Sequence, residues 1–130
     1  MESIVIERTD DKPRIILDKK RNLFLFEGVS MCEDVTTFYK PVIDWLNNYY
    51  LHNPNPNTIV KFKLMYFNTA SSKMILNVLL CFDELCKKGH DVHVEWYYQP
   101  DDNDMEDAGK FYSSRLSIAW KMIKDDTMDL

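Results

Sequence analysis

The stretch that most constrains this chain is a strand, a hydroxyl-rich loop and a helix in direct succession. Thr58 to Phe67 reads as a strand, because Ile59, Val60, Phe62, Leu64, Tyr66 and Phe67 are β-branched, aromatic or bulky apolar. Ile75, Val78, Leu79, Phe82, Leu85 and Cys86 then recur at helical spacing, and Gly89 stops the pattern. Between the two lie Asn68, Thr69, Ala70, Ser71, Ser72 and Lys73. A helix opens with backbone N–H groups that have no partner inside it. Ser71 or Ser72 can cap one of them. The rest, with the helix dipole, favour an anion at that spot, and a phosphoryl group on a hydroxyl there meets ready-made donors. Lys73, read as a cation in the first turn, becomes favourable once such an anion arrives. On residue types alone, the same serines and threonine are also ordinary helix caps.

The chain reads as one domain, residues 1–130, long enough to bury a core. The elements predicted in order are three strands, a helix, a strand, a helix, a strand, a helix and a strand. Ser3 to Arg8, Arg14 to Asp18 and Leu23 to Glu27 are the first strands, the last two forming a hairpin across Lys19 to Asn22. The first helix starts near Glu33 or Asp34, or later at a cap on Thr36 or Thr37 that would leave Pro41 near the first turn. The loop His52 to Asn57 ends it. Val92, Val94 and Trp96 alternate with His93, Glu95 and Tyr97 in the strand after Gly89. Strand, helix and strand make a βαβ unit with parallel strands and a right-handed crossover. A third helix starts around Asp102 to Asp104, Leu116 to Ile123 gives the last strand, and Asp125 to Leu130 reads as a frayed tail. The result is an α/β fold: a mixed β-sheet of about six strands with helices packed on it.

Composition removes several function classes. The formal charge is −5, which argues against a broad basic face for nucleic acid. No apolar run is long enough to span a bilayer, and no signal core opens the chain. The three cysteines are odd in number and lack a Cys-x-x-Cys pair, which fits a reducing cytoplasm. His52, His90 and His93 have no zinc-like spacing, so no metal or cofactor is expected. The acidic run Asp101 to Asp107 lacks the glycine of a calcium loop and reads as a solvated helix start. It leaves an alternative, a small-ligand or metal sensor built on residues 101–107. The Ser/Thr loop has no Gly-x-Ser-x-Gly elbow, no histidine placed as its base and no Gly-rich phosphate loop nearby. Catalytic residues are therefore assigned to none. Tyr97 and Tyr98 end a strand facing opposite ways, so one of them is available to a partner, with Tyr66 and Asp104 as further candidates for that surface.

Tyr66 to Lys73 resembles the signature of the SiaC family of bacterial regulatory phosphoproteins, with Ala70 where the family has a serine. The resemblance continues through Phe38-Tyr39-Lys40-Pro41, Asp44-Trp45-Leu46, Val94 to Tyr98 and Asp104 to Gly109. It implies a STAS-like fold and a phosphoacceptor threonine, which maps to Thr69, with Asn68, Ser71, Ser72 and Lys73 as its surroundings. It further implies a cognate serine/threonine kinase, a PP2C-type phosphatase and a downstream effector, a diguanylate cyclase in the best-known relatives. The expectation is a non-catalytic, cytoplasmic phospho-switch adaptor.

Overall fold

The computed structural model describes residues 2–128. Its elements are β1 (Ile4–Ile6), β2 (Arg14–Asp18), β3 (Leu23–Ser30), α1 (Val35–Leu51), β4 (Asn57–Phe67), α2 (Thr69–Lys87), β5 (Asp91–Tyr98), α3 (Asn103–Ser114) and β6 (Ala119–Lys124). The six strands form one mixed sheet in sequence order, β1-β2-β3-β4-β5-β6. The first two pairs are antiparallel, and β3 to β6 run parallel.

That order decides the layering. Three right-handed crossovers that all step the same way along a sheet put all three helices on one face. Rings from different helices accordingly meet strand residues of the same face. Phe24 packs against Tyr49 of α1 and Phe82 of α2, and Trp96 against Tyr112 of α3. Phe26, Phe62 and Trp96 stack in succession across β3, β4 and β5. Parallel sheets are usually covered on both faces. Here the strands alternate instead, and the uncovered face carries charge. Leu25, Lys61, Glu95 and Lys121 lie in one cross-strand row, so a carboxylate sits between two ammonium groups.

One irregularity re-aims the end of β4. Gly28 pairs with Leu64 but Val29 pairs with Tyr66, so Met65 is an extra residue on β4. Gly28 takes φ +110° at this bulge, a conformation open to glycine. Past the bulge the alternation is reversed. Phe67 turns into the helix layer, against Trp96 and Tyr112, and Tyr66 is left 51% exposed.

Several local expectations are corrected. Asp34 caps α1 by accepting from the Thr37 N–H, so the helix begins at Val35, which bears out the start expected near Glu33 or Asp34 and overturns the alternative threonine cap. Pro41 lies inside α1 on an exposed position and does not delay its start. The C-terminal segment is pinned rather than frayed as far as it is described. The Asp125 N–H donates to the Tyr98 carbonyl, and the Gln99 amide donates to that of Met128. The expected tail residues Asp129 and Leu130 lie outside the described residues.

Candidate functional site

The sequence-predicted loop sits at the edge where the parallel strands β3, β4 and β5 end. Its cap is Asn68, whose side-chain oxygen accepts from the Ser71 N–H at 2.9 Å. This replaces the expected cap on Ser71 or Ser72. Asn is as good a cap as Ser, and the earlier position leaves the serines free for other bonds. Thr69 is thus the first helical residue of α2, and Ser72 N–H already closes onto the Asn68 carbonyl at 2.9 Å. The N–H groups of Thr69 and Ala70 have no intrahelical acceptor, as at any helix start. Lys73 falls one full turn in, exposed, at i+4 from Thr69 rather than in the first turn.

The three loop hydroxyls have different fates. Ser71 is 0% exposed, and its Oγ accepts from Ser30 Oγ at 2.8 Å. Ser72 is half-buried, and its Oγ donates to the Thr69 carbonyl at 2.6 Å. Thr69 is exposed, and among the described residues its hydroxyl is engaged in no hydrogen bond. Of the three, Thr69 alone is both exposed and without a hydrogen-bond partner for its hydroxyl among the described residues.

Neighbouring elements hold this turn from three sides. Asn68 N–H donates to the Ser30 carbonyl at the end of β3, at 3.2 Å. Tyr39 of α1 reaches Ser30 Oγ at 2.8 Å. From α3, the Tyr112 phenol donates to the Ser72 carbonyl at 2.8 Å. Burial pushes the Tyr112 phenol up to about 12, so it remains a donor at any physiological pH. Ser30, Tyr39 and Tyr112 were not singled out from sequence. Ser30 and Ser71 are separated by 41 positions, and no local pattern marks a contact of that kind.

The remaining candidates fall in different places. Tyr66 is exposed on the far side of β4 from Phe67. Asp104 is exposed in the first turn of α3. Tyr97 lies half-buried on the uncovered face, its phenol donating to Glu95 and the Lys63 ammonium over its ring. Tyr98 is only 5% exposed and bonds to Glu106, so it is core and not partner surface. Alternation on β5 gave the two tyrosines opposite faces, and the helix layer took Tyr98.

The acidic run is largely absorbed by the start of α3. Asp102 caps it through the Met105 N–H, and Glu106 lies 3.3 Å from Lys110. Among the described residues, no three His, Cys, Asp or Glu side chains group closely enough to hold a metal ion. A hollow of about 200 Å³ on the uncovered face lies between Arg8, Glu27, Lys63 and Asp125, and none of residues 101–107 lines it. No described helix is long and apolar enough to cross a membrane.

Fold and site together define a class: an open-faced α/β domain that presents one free hydroxyl at a helix start, at the carboxyl edge of its parallel strands. Residues 6–125 match the profile of the SiaC family regulatory phosphoproteins, and the chain belongs to that family. Its backbone resembles apo-SiaC from Pseudomonas aeruginosa with a TM-score of 0.86, at 22% identity, over 95% of this chain and 99% of that one. It also resembles the chain of Pseudomonas aeruginosa SiaC crystallised in complex with diguanylate cyclase SiaD, whose activator that SiaC is, with a TM-score of 0.88 at 20% identity over 94% of this chain and 99% of that one. An uncharacterized protein of Pseudomonas aeruginosa (strain UCBPP-PA14) is 26% identical over 98 residues, 75% of this chain and 77% of its own length.

Proposed function

We propose that this chain is a non-catalytic phospho-switch adaptor of the cytoplasm, modified on Thr69. A cognate serine/threonine kinase transfers the γ-phosphoryl group of ATP to Thr69 Oγ1, which loses its proton. A PP2C-type phosphatase returns the hydroxyl by hydrolysis. The state of Thr69 then sets binding to a downstream enzyme, a diguanylate cyclase by analogy with the SiaD partner of the Pseudomonas SiaC. The observation that carries this reading is the contrast among the three hydroxyls: Thr69 is exposed and free, Ser71 is buried, and Ser72 is spent on a backbone carbonyl.

The switch is electrostatic. The unmodified turn is uncharged from Asn68 to Ser72, with exposed Tyr66 close by in sequence. A phosphoryl group adds about −1.5 to −2 charge, which an apolar partner surface would have to desolvate. The modification therefore releases a partner that packs apolar groups on this turn.

The test is peptide mass spectrometry of the protein taken from its own cells with the phosphatase inhibited. Phosphate on Thr69 is expected. Thr69→Ala is expected to take up none while unfolding near the wild-type temperature, because Thr69 is exposed and its hydroxyl is bonded to none of the described residues, and to bind the cyclase as the unmodified protein does. Phosphate uptake that persists in Thr69→Ala, or an unmodified Thr69 across growth conditions, overturns the reading.

A further inference from the structure

The hydroxyls of Tyr39, Ser30 and Ser71 form one chain beneath the first turn of α2. Ser30 Oγ lies 2.8 Å from both Tyr39 Oη and Ser71 Oγ. A hydroxyl has one proton to give. Ser30 gives its own to Ser71, so Tyr39 donates to Ser30. Burial holds the Tyr39 phenol well above its ordinary pKa, which keeps that donor protonated. All three are buried, at 1%, 0% and 0% exposure. They come from three elements, α1, β3 and α2.

Ser30 grips the loop twice. Its carbonyl accepts the Asn68 N–H, and its hydroxyl holds Ser71. Asn68 and Ser71 bracket Thr69 and Ala70, and they are joined to each other by the capping bond. The turn that carries Thr69 is therefore clamped on both sides to a rigid strand. Stability alone does not call for such a chain, since apolar groups of the same shape serve a core about as well as paired hydroxyls. A fixed acceptor does call for it. Phosphoryl transfer depends on alignment of the attacking oxygen, and a displacement of about 1 Å can cost about a hundredfold in rate.

We infer that Ser30 is a positioning residue for phosphoryl transfer to Thr69: through the Tyr39–Ser30–Ser71 chain it fixes the first turn of α2 so that Thr69 is presented and Ser71 is withheld. This rests on Thr69 being the acceptor, as proposed above. Tyr39 completes the chain from α1, so the presentation of Thr69 depends on a residue of a different helix.

The experiment compares wild type, Ser30→Ala, Tyr39→Phe and Ser71→Ala as substrates of the kinase activity purified from the protein's own cells, with ATP and Mg²⁺. Tyr39→Phe removes one oxygen and leaves the ring packing in place. For Ser30→Ala and Tyr39→Phe, kcat for phosphoryl transfer is expected to fall about tenfold or more, with KM nearly unchanged. In Ser30→Ala, peptide mass spectrometry is expected to find phosphate on Ser71 or Ser72 beside Thr69. Amide hydrogen exchange at residues 69–72 should quicken in both variants while the rest of α2 stays protected. A purely structural role would lower the unfolding temperature and leave kcat and the modified position alone. If the variants are folded and modified on Thr69 only, at the wild-type kcat, the inference is overturned. If Ser30→Ala does not fold, Tyr39→Phe and Ser71→Ala decide the matter by the same readouts. Absence of phosphate on wild-type Thr69 overturns the underlying reading instead, which separates the two failures.

Discussion

At the scale of single residues, the site is an ordinary helix start used selectively. Asn68 supplies the cap, a contribution of about 1 kcal/mol at such positions. Capping by Asn68 rather than a serine has a consequence for Lys73. Thr69 becomes the first helical residue, so Lys73 stands one turn later on the same side. A phosphate on Thr69 and the Lys73 ammonium then form an acid–base pair in the favourable orientation. Lys73→Met is expected to leave the unmodified protein unchanged within about 0.5 kcal/mol, as for most exposed sites. It should remove about 0.2–0.5 kcal/mol from the phosphorylated form at low salt. Urea unfolding of both forms checks this, and equal losses in the two would mean that the phosphate points away from Lys73.

At the scale of elements, α3 is seated on the sheet through a crowded contact and tied to α2 through the Tyr112 phenol. Gly109 faces the sheet where a Cβ would stand 2.5 Å from Trp96 Cδ1 and 2.9 Å from Met122 Cε. Trp96 cannot withdraw freely, because its indole N–H donates to the Met105 carbonyl of the same helix at 3.0 Å. Gly109→Ala must therefore lift α3. Overpacking of this kind costs about 1–3 kcal/mol. The same movement would draw the Tyr112 phenol from the Ser72 carbonyl and loosen the Thr69 turn. Denaturant unfolding with tryptophan fluorescence should show the loss; a variant as stable as wild type would mean that the helix shifts without strain. The bulge in β4 works at the same scale. Without the extra Met65, Phe67 would face away from α3, and the loop would leave the strand on the wrong side of the sheet.

At the scale of the whole molecule, buried and half-buried phenols and a half-buried thiol set the response to alkali. Burial pushes Tyr112 and Tyr97 up to about 12, Cys81 up to about 11, and Tyr39 higher than its ordinary range. In the unfolded chain a thiol titrates near pH ~8.5 and a phenol near pH ~10. Below those values both states hold the proton and stability does not respond to pH through these groups. Above them the unfolded chain releases protons that the folded one keeps, so stability falls as pH rises from about 9 toward 12. A phenol that keeps its proton in the folded state contributes a slope approaching about 1.4 kcal/mol per pH unit only above pH ~10, and less where it is half-buried. Urea midpoints measured from pH 8 to 12 should be flat at first and then drop; a flat profile to pH 11 would mean that these side chains reach solvent.

Periodicity was enough to reveal the element order and the βαβ units. Period-two alternation in β4 and β5 and the helical spacing from Ile75 to Cys86 are local properties that a chain carries with it. The hydroxyl-rich helix start was legible for the same reason, since it is a local pattern; the choice of Thr69 within it came from the family signature, which lies in contiguous residues. The cap identity was legible in principle, because Asn68 is a strong cap, but three nearby hydroxyls competed for the assignment.

What only the tertiary structure decided is everything that depends on residues far apart in sequence. The burial of Ser71 needs Ser30 and Tyr39; the restraint of Ser72 needs Tyr112; the burial of Tyr98 needs α3. The sequence by itself determined that a hydroxyl would stand at this helix start. Long-range packing determined which hydroxyl stays exposed and unbonded, because burial and hydrogen bonding engage the others, and no run of neighbouring residues encodes a contact across 41 positions.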